Sequence, residues 1–370
     1  MLKRFFVPVL LLLLPPLSAI AQQPTHYPAS YAQTIAAAKK EGRVVIYGVL
    51  GNRAAKPLID DFRALYPGIE VAYDGDQGSN EAQERYLAEV KKGAGPDVMW
   101  SSAMDLQLKL VEDGHAMTYR SAEAAALPGW ANYRDQAYGS TFEPVVFIYN
   151  KKELREDEVP RDHVQFARLL AANPARYRGK VTTFDIEKSG VGFMFAVQDR
   201  RHHRGLEDLA NAMGKVDYRP TAGTGPMLDK VASGEYLLGY NVMGAYAMVR
   251  AKREPTLGVV LPQDYTLVLS RVAFISKHAK HPNAAKLWLD HLLSMRGQKV
   301  IGDALELFAI RTDVDARYTA ASLSRELGPR ARPISIDGDL ALTLDPSRRN
   351  PFIKRWNEAV EAGRKQEKPP

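Results

Sequence analysis

Five short stretches place small polar residues where a strand gives way to a helix. Gly51-Asn52 follows "RVVIY", Gln77-Gly78-Ser79 follows "IEVAYDG", Ser101-Ser102 follows "PDVMW", and Ser189-Gly190-Val191-Gly192 follows "KVTTFDI". The fifth, "TAGTG" at 221–225, precedes "PMLDKVAS" with Thr224 placed as an N-cap. The first N–H groups of a helix lack intrahelical partners, and the helix dipole adds positive potential there, so such junctions attract anions. Glycine at 190 and 192 would let the backbone approach a ligand without a Cβ in the way. The same residue types also serve as plain caps, stabilising by about 1 kcal/mol and binding nothing. For one such loop the cap is the better reading, and convergence of several on one cleft turns the balance toward binding.

Other residues carry weaker signals. Asn241 ends the strand "GYNV", where its amide could read a hydroxyl or a carboxylate. Arg271 lies inside the apolar run "TLVLSRVAFIS", an expensive place for an unpaired guanidinium. It is either a bidentate clamp on phosphate or carboxylate, or the partner of Glu143 in a salt bridge. Trp100 stacks on a ligand or closes the core, with core the commoner use. His202-His203 sits in the basic run "QDRRHHRG", which reads as a solvated helix end, since adjacent helical residues point in different directions. Asp60-Asp61 and Glu41 read as surface charge.

The chain of 370 residues holds 50 Lys and Arg against 43 Asp and Glu, a net charge of +7. It begins with Lys3-Arg4, an apolar stretch Phe5–Leu14, Pro15-Pro16, and Ala19-Ile20-Ala21. That pattern predicts a secretory signal peptide over 1–21, cleaved after Ala21. The apolar stretch falls short of the roughly 20 residues that span a bilayer, so no membrane-spanning segment is expected. Loss of 1–21 leaves a charge of +5, spread evenly; this suits an anionic ligand or a solvated surface, while nucleic-acid binding would need a clustered basic face. No Cys is present, which rules out thiolate metal sites and cysteine nucleophiles. No nucleophile elbow or zinc-spaced histidine pair appears, so the expectation is a non-enzyme without cofactor or metal.

The elements that must position these residues alternate. A helix over 30–42 stopped by Gly42 leads into a strand at Val44–Tyr47, and helices and strands then alternate through "DLQLKLVEDGH", which predicts an α/β fold with parallel crossovers. The middle repeats the theme, and "HPNAAKLWLDHLLSMRGQKVI" reads as one strong helix. Only the tail "RKQEKPP" reads as disordered. Two long β-rich runs, near 143–150 and 264–276, flank the middle block. They suggest a first lobe of 22–142 plus 272–370, a second lobe of 143–271, and a two-strand hinge between them with a ligand cleft.

The stretches "RVVIYGVLGN…LIDDFRALYPGIEVAY", "GPDVMWSS", "PVVFIYNKK", "SGVGF", "VASGEYLLGYNV" and "FISKHAKHPNAAKLWLDHLLSMRGQKVI" together resemble the extracellular solute-binding proteins of ABC importers. More narrowly, the chain resembles the type II branch with ferric-ion, sugar-phosphate, thiamine and phosphoglycerate-type binders. The resemblance covers nearly the whole mature chain and implies a bilobal Venus-flytrap, a periplasmic monomer that closes on a small solute and docks on an inner-membrane ABC permease. Phosphoglycerate-type relatives imply an alternative partner, a membrane sensor kinase. In ferric-binding relatives a loop resembling "SGVGF" holds an anion beside the metal, and an adjacent tyrosine pair follows the strand equivalent to "GEYLLGYNV". Here that place reads "MGAY", and Gly244-Ala245 cannot supply the anionic oxygens that Fe(III) needs. The histidine expected after the first strand is missing from "GVLGN". These departures make ferric ion the lesser alternative and an organophosphate, phosphonate or carboxylate the expected cargo.

Overall fold

A computed structural model of the chain describes residues 27–366, so the expected signal peptide lies outside the described residues. The first part runs α1 (Tyr31–Glu41), β1 (Arg43–Gly48), α2 (Asn52–Leu65), β2 (Glu70–Asp74), α3 (Ser79–Val90), β3 (Val98–Ser101), α4 (Met104–Glu112), β4 (Asn132–Tyr133) and β5 (Ala137–Gly139). The middle runs β6 (Glu143–Asn150), α5 (His163–Ala172), α6 (Pro174–Tyr177), β7 (Val181–Phe184), α7 (Gly190–His202), α8 (Leu206–Lys215), β8 (Arg219–Thr221), α9 (Thr224–Ser233), β9 (Leu238–Met243), α10 (Gly244–Arg253), β10 (Leu257–Val260) and β11 (Thr266–Leu269). The last part is β12 (Val272–Ile275), α11 (Pro282–Leu293), α12 (Met295–Asp303), α13 (Ala320–Leu327), β13 (Ala331–Pro333), α14 (Gly338–Leu342) and α15 (Pro346–Gln366).

Two mixed sheets result, each flanked by helices. The first has the order β2-β1-β3-β12-β5-β4, with β1 parallel to β2 and β3 and β12 antiparallel to β3. The second has the order β13-β11-β6-β9-β7-β8, with β10 also paired to β6. Local sequence explains the building blocks. Gly42 adopts a left-handed φ of 69° and its N–H returns to Ala38 O, ending α1 as a glycine at that position commonly does. Leu58, Ile59 and Phe62 bury one face of α2, where Phe62 meets Trp288 of α11 edge-on. Trp100 is buried and donates from Nε1 to Ser140 Oγ at 2.9 Å, which is the core reading.

The chain passes from the first sheet to the second between Gly139 and Glu143 and returns between Leu269 and Val272. The apolar run 266–276 is therefore two strands in different sheets, β11 against β6 and β12 against β3 and β5, parted at Ser270-Arg271. At the return, Arg271 Nε donates to Glu143 Oε1 at 2.9 Å, and Thr141 Oγ1 accepts from Arg271 N at 2.8 Å. Burial alone would depress the Arg271 guanidinium, but Glu143 and the Tyr246 hydroxyl outweigh it and hold its pKa above the usual value.

Three further expectations are corrected. The strong helix at 281–301 is two helices, broken at Ser294, whose Oγ accepts from Gly297 N at 3.0 Å to start α12. Gly297 permits the break, since a Cβ there would lie 1.9 Å from His291 O. The final residues are not uniformly irregular: α15 runs through Arg364 to Gln366 and packs on α8. Gly214 and Gly363 let the two backbones meet, because a Cβ on either would come within 2.0 Å of a carbonyl oxygen, Val360 O and Asn211 O respectively. With β13 added beside β11, the chain beyond 272 contributes to both sheets. Finally, Glu41 is no idle surface charge, because its carboxylate accepts from Asn283 N at 3.2 Å and Ala284 N at 2.8 Å, capping α11.

Candidate functional site

A cavity of about 940 Å³ opens between the two sheets, walled by strand-to-helix junctions from both. From the first sheet's side come Gly51, Gln77, Gly78, Ser79 and Ser102; from the second come Ser189, Val191 and Thr224. Asn52, Ser101, Gly190, Gly192, Asn241 and Arg271 do not reach this wall.

Each absence has a physical reason. Asn52 is held by Asp76: its backbone N donates to Asp76 Oδ1 at 2.9 Å and its Nδ2 to Oδ2 at 2.7 Å. The protein's own carboxylate thereby occupies the N-terminus of α2. Ser101 Oγ accepts from Ala103 N at 3.1 Å, a buried local cap. Gly190 packs against the first-sheet layer, where a Cβ would lie 2.9 Å from Leu106 Cδ1 and 3.0 Å from Asn80 Oδ1. Gly192 abuts Phe184, with a Cβ position 2.3 Å from Phe184 Cβ. Close packing of α7 accounts for both glycines, against α3 and α4 at Gly190 and against β7 at Gly192. Asn241 has a φ of 54° and turns inward, donating to Asp199 Oδ2 at 2.5 Å. Tyr240 and Tyr265 also donate to Asp199, each at 2.8 Å, and burial beside that carboxylate pushes both phenols up. Arg271 is spent on Glu143, although its Nη2 also donates at 2.7 Å to the hydroxyl of Tyr246, which does line the cavity.

The helix N-termini that open on the cavity differ in how they are finished. At α3, Gly78 N reaches Glu81 Oε2 only at 3.4 Å. At α7, Ser189 Oγ accepts from Gly192 N at 3.2 Å, so Ser189 is a cap that still has a hydroxyl hydrogen to give. At α9 the N-cap is Gly223, which has no side chain, and Thr224 is the first helical residue rather than the cap. Thr224 is 7 % exposed, and its Oγ1 is buried without a hydrogen-bond partner among the described residues.

Sequence reasoning missed much of the remaining wall. Ala245, Tyr246, Val249, Arg250 and Arg253 line it from α10, and Arg53 from α2. The signal was present, because 245, 246, 249, 250 and 253 recur at the spacing of one helical face. The pair His202-His203 also departs from expectation: His203 is buried, its ring 5.9 Å from that of His163, and burial depresses both His202 and His203. Among the described residues no group of three His, Asp or Glu side chains is arranged to hold a metal ion.

The profile of the family described as bacterial extracellular solute-binding protein matches residues 57–324. The chain belongs to that family. A solved structure that is 34% identical, the substrate-binding protein of an ABC transporter from Agrobacterium tumefaciens, matches with a TM-score of 0.81 over 86% of this chain and 94% of that one. Such proteins are receptors rather than enzymes and work with inner-membrane permeases, and the family's extracellular character implies a periplasmic location. The fold is also shared with AfuA from Actinobacillus pleuropneumoniae, solved with fructose-6-phosphate bound (19% identity, TM-score 0.69, 86% and 99% covered). Iron-bound HitA from Pseudomonas aeruginosa shares it as well (16% identity, TM-score 0.66, 86% and 99% covered). No curated protein matches in sequence. No helix among the described residues is long and apolar enough to cross a membrane.

Proposed function

We propose that this receptor binds a small organic anion, a phosphate monoester or phosphonate before a carboxylate, in the cavity between the sheets and delivers it to an ABC permease. The observation that carries this reading is the N-terminus of α9. Its cap lacks a side chain, and Thr224, whose buried Oγ1 has no partner among the described residues, is one of the residues that line the cavity. A buried polar group left without a partner costs about 1–3 kcal/mol, a cost that an incoming anion would remove. Ser189 at the start of α7 lines the same cavity with a hydroxyl hydrogen to give, so one tetrahedral anion would gain donors from two helices. Closure about the two crossovers, 139–143 and 269–272, is the motion this function calls for.

A ferric cargo finds less support. Tyr246 on the wall is engaged by Arg271, and Tyr240 is buried against Asp199, so no pair of phenolates faces the cavity. Thermal-shift and calorimetric titration with glucose 6-phosphate, 2-aminoethylphosphonate, succinate and Fe(III) tests the reading. A phosphate ester or phosphonate is expected to raise the melting temperature, and Thr224→Val is expected to weaken it by about tenfold or more, the size of a hydrogen bond to a charged group. A shift by Fe(III) alone, or an unchanged affinity in Thr224→Val, refutes it.

A further inference from the structure

Besides the α9 N-terminus, the cavity carries cationic side chains. Three arginines line it: Arg53 in the first turn of α2, and Arg250 and Arg253 on the exposed half of α10. They are not equally free. Arg250 is committed to Asp229 at 3.0 Å and to Glu254 at 2.7 Å. Arg253 reaches only Glu306, loosely, at 3.7 Å. Arg53 has no ion pair among the described residues, and its setting gives it no local reason to be a cation. A positive charge in the first turn opposes the helix dipole, and the carboxylate at that end, Asp76, is engaged by Asn52.

Size points the same way. A cavity of about 940 Å³ is far larger than one phosphate or carboxylate group needs, and apolar residues such as Leu50, Val249 and Leu307 also line it. A ligand with a carbon frame fills such a space, and its far end then meets a guanidinium whose fork of donors matches a carboxylate or phosphate.

We infer that the solute carries a second anionic group, a carboxylate or another phosphate, bound by Arg53, with Arg253 lining the same cavity. This rests on the reading of the α9 end as the site of the first anion. The receptor therefore selects organic molecules with two anionic groups over those of the same size with one. Arg53 is the specificity-determining residue in this arrangement, while Ser189 and Thr224 hold the group that both kinds of ligand share.

Isothermal titration of the mature protein with glucose 6-phosphate, 3-phosphoglycerate and fructose 1,6-bisphosphate separates the two readings. At least one of the two ligands with two anionic groups is expected to bind about tenfold or more tightly than glucose 6-phosphate, with a steeper loss of affinity as salt rises. Arg53→Gln is expected to reduce that preference to about twofold, with a loss for glucose 6-phosphate much smaller than that for the preferred ligand. Arg53 is exposed and unpaired, so the variant should fold normally. Equal binding of all three ligands, or an equal loss for all three in Arg53→Gln, overturns the second anion site and leaves the first in place. Binding of none of them overturns both.

Discussion

The N-termini of α2 and α9 open on the same cavity, one from each sheet, and are finished in opposite ways. At α2, Asp76 folds back and takes hydrogen bonds from the backbone and side chain of Asn52. At α9, Gly223 contributes no side chain and Thr224 Oγ1 has no partner. Both ends have the dipole that attracts an anion. On the proposed reading, the difference teaches that such a junction serves a ligand only when the protein withholds its own carboxylate from it.

The most severe way to break the contrast is to close α9 as α2 is closed. Gly223 has an extended backbone, φ −152° and ψ 160°, and open space where a Cβ would go, with its nearest neighbour at 3.9 Å. Gly223→Asp should therefore cap α9 well, raising the unliganded melting temperature slightly, while like-charge repulsion lowers affinity for an anionic solute about a thousandfold. Calorimetric titration reads the affinity. A variant that still binds with wild-type affinity would mean that the anion sits elsewhere.

A third junction, at α4, sharpens the comparison through pH. Asp105 in its first turn is buried, with Oδ2 unpartnered, and burial pushes its carboxyl up to about 7 against the modest help of the Leu106 N–H. Arg349 is the charged side chain that acts on it, in the opposite direction. The folded state holds this proton more tightly than the unfolded chain does. Its contribution to stability is thus full near pH 4 and is lost as pH rises toward 7. Between pH 7 and 4 the wild type should gain about 3 kcal/mol relative to Asp105→Asn, measured by urea melts at each pH. Asp290, raised to about 6 by burial, adds a similar slope that both proteins share. Parallel profiles would show that Asp105 stays ionised.

The smallest effect comes from opening α2. Asp76→Ala removes the internal anion and should cost about 1–2 kcal/mol, and millimolar inorganic phosphate should restore part of the lost melting temperature by occupying the vacated N-terminus. An absence of phosphate rescue would leave the α9 end distinguished by more than its missing carboxylate.

Much of the fold was legible because its signals are local. The run Val44–Tyr47, the spacing of Leu58, Ile59 and Phe62, and the stop at Gly42 declared strand, helix and terminus within a few residues of themselves. What escaped depends on distant partners. The apolar run 266–276 divides because β6 and β3, its neighbours, belong to different sheets. Gly190 looked made for a ligand until Leu106 and Asn80, from the other layer, turned out to fill the space beside it. Arg271 finds Glu143 across 128 residues, one of the two readings its buried setting offered, whereas Asn52 finds Asp76 across 24, an engagement that nothing in the local sequence announced. The face of α10 was readable by its period, but at that strand end attention went to Asn241 and to the missing tyrosine pair rather than to the helix that follows.

The placement of β13 and α15 has a kinetic side. Residues 331–333 and 346–366 complete the second sheet's edge and cover its helix α8, although the strands and helix they join were made far earlier in the chain. Neither layer can finish packing until nearly the whole polypeptide is available, and contacts of such long sequence separation form slowly. A chain that has to be threaded across a membrane before it folds is served by that delay.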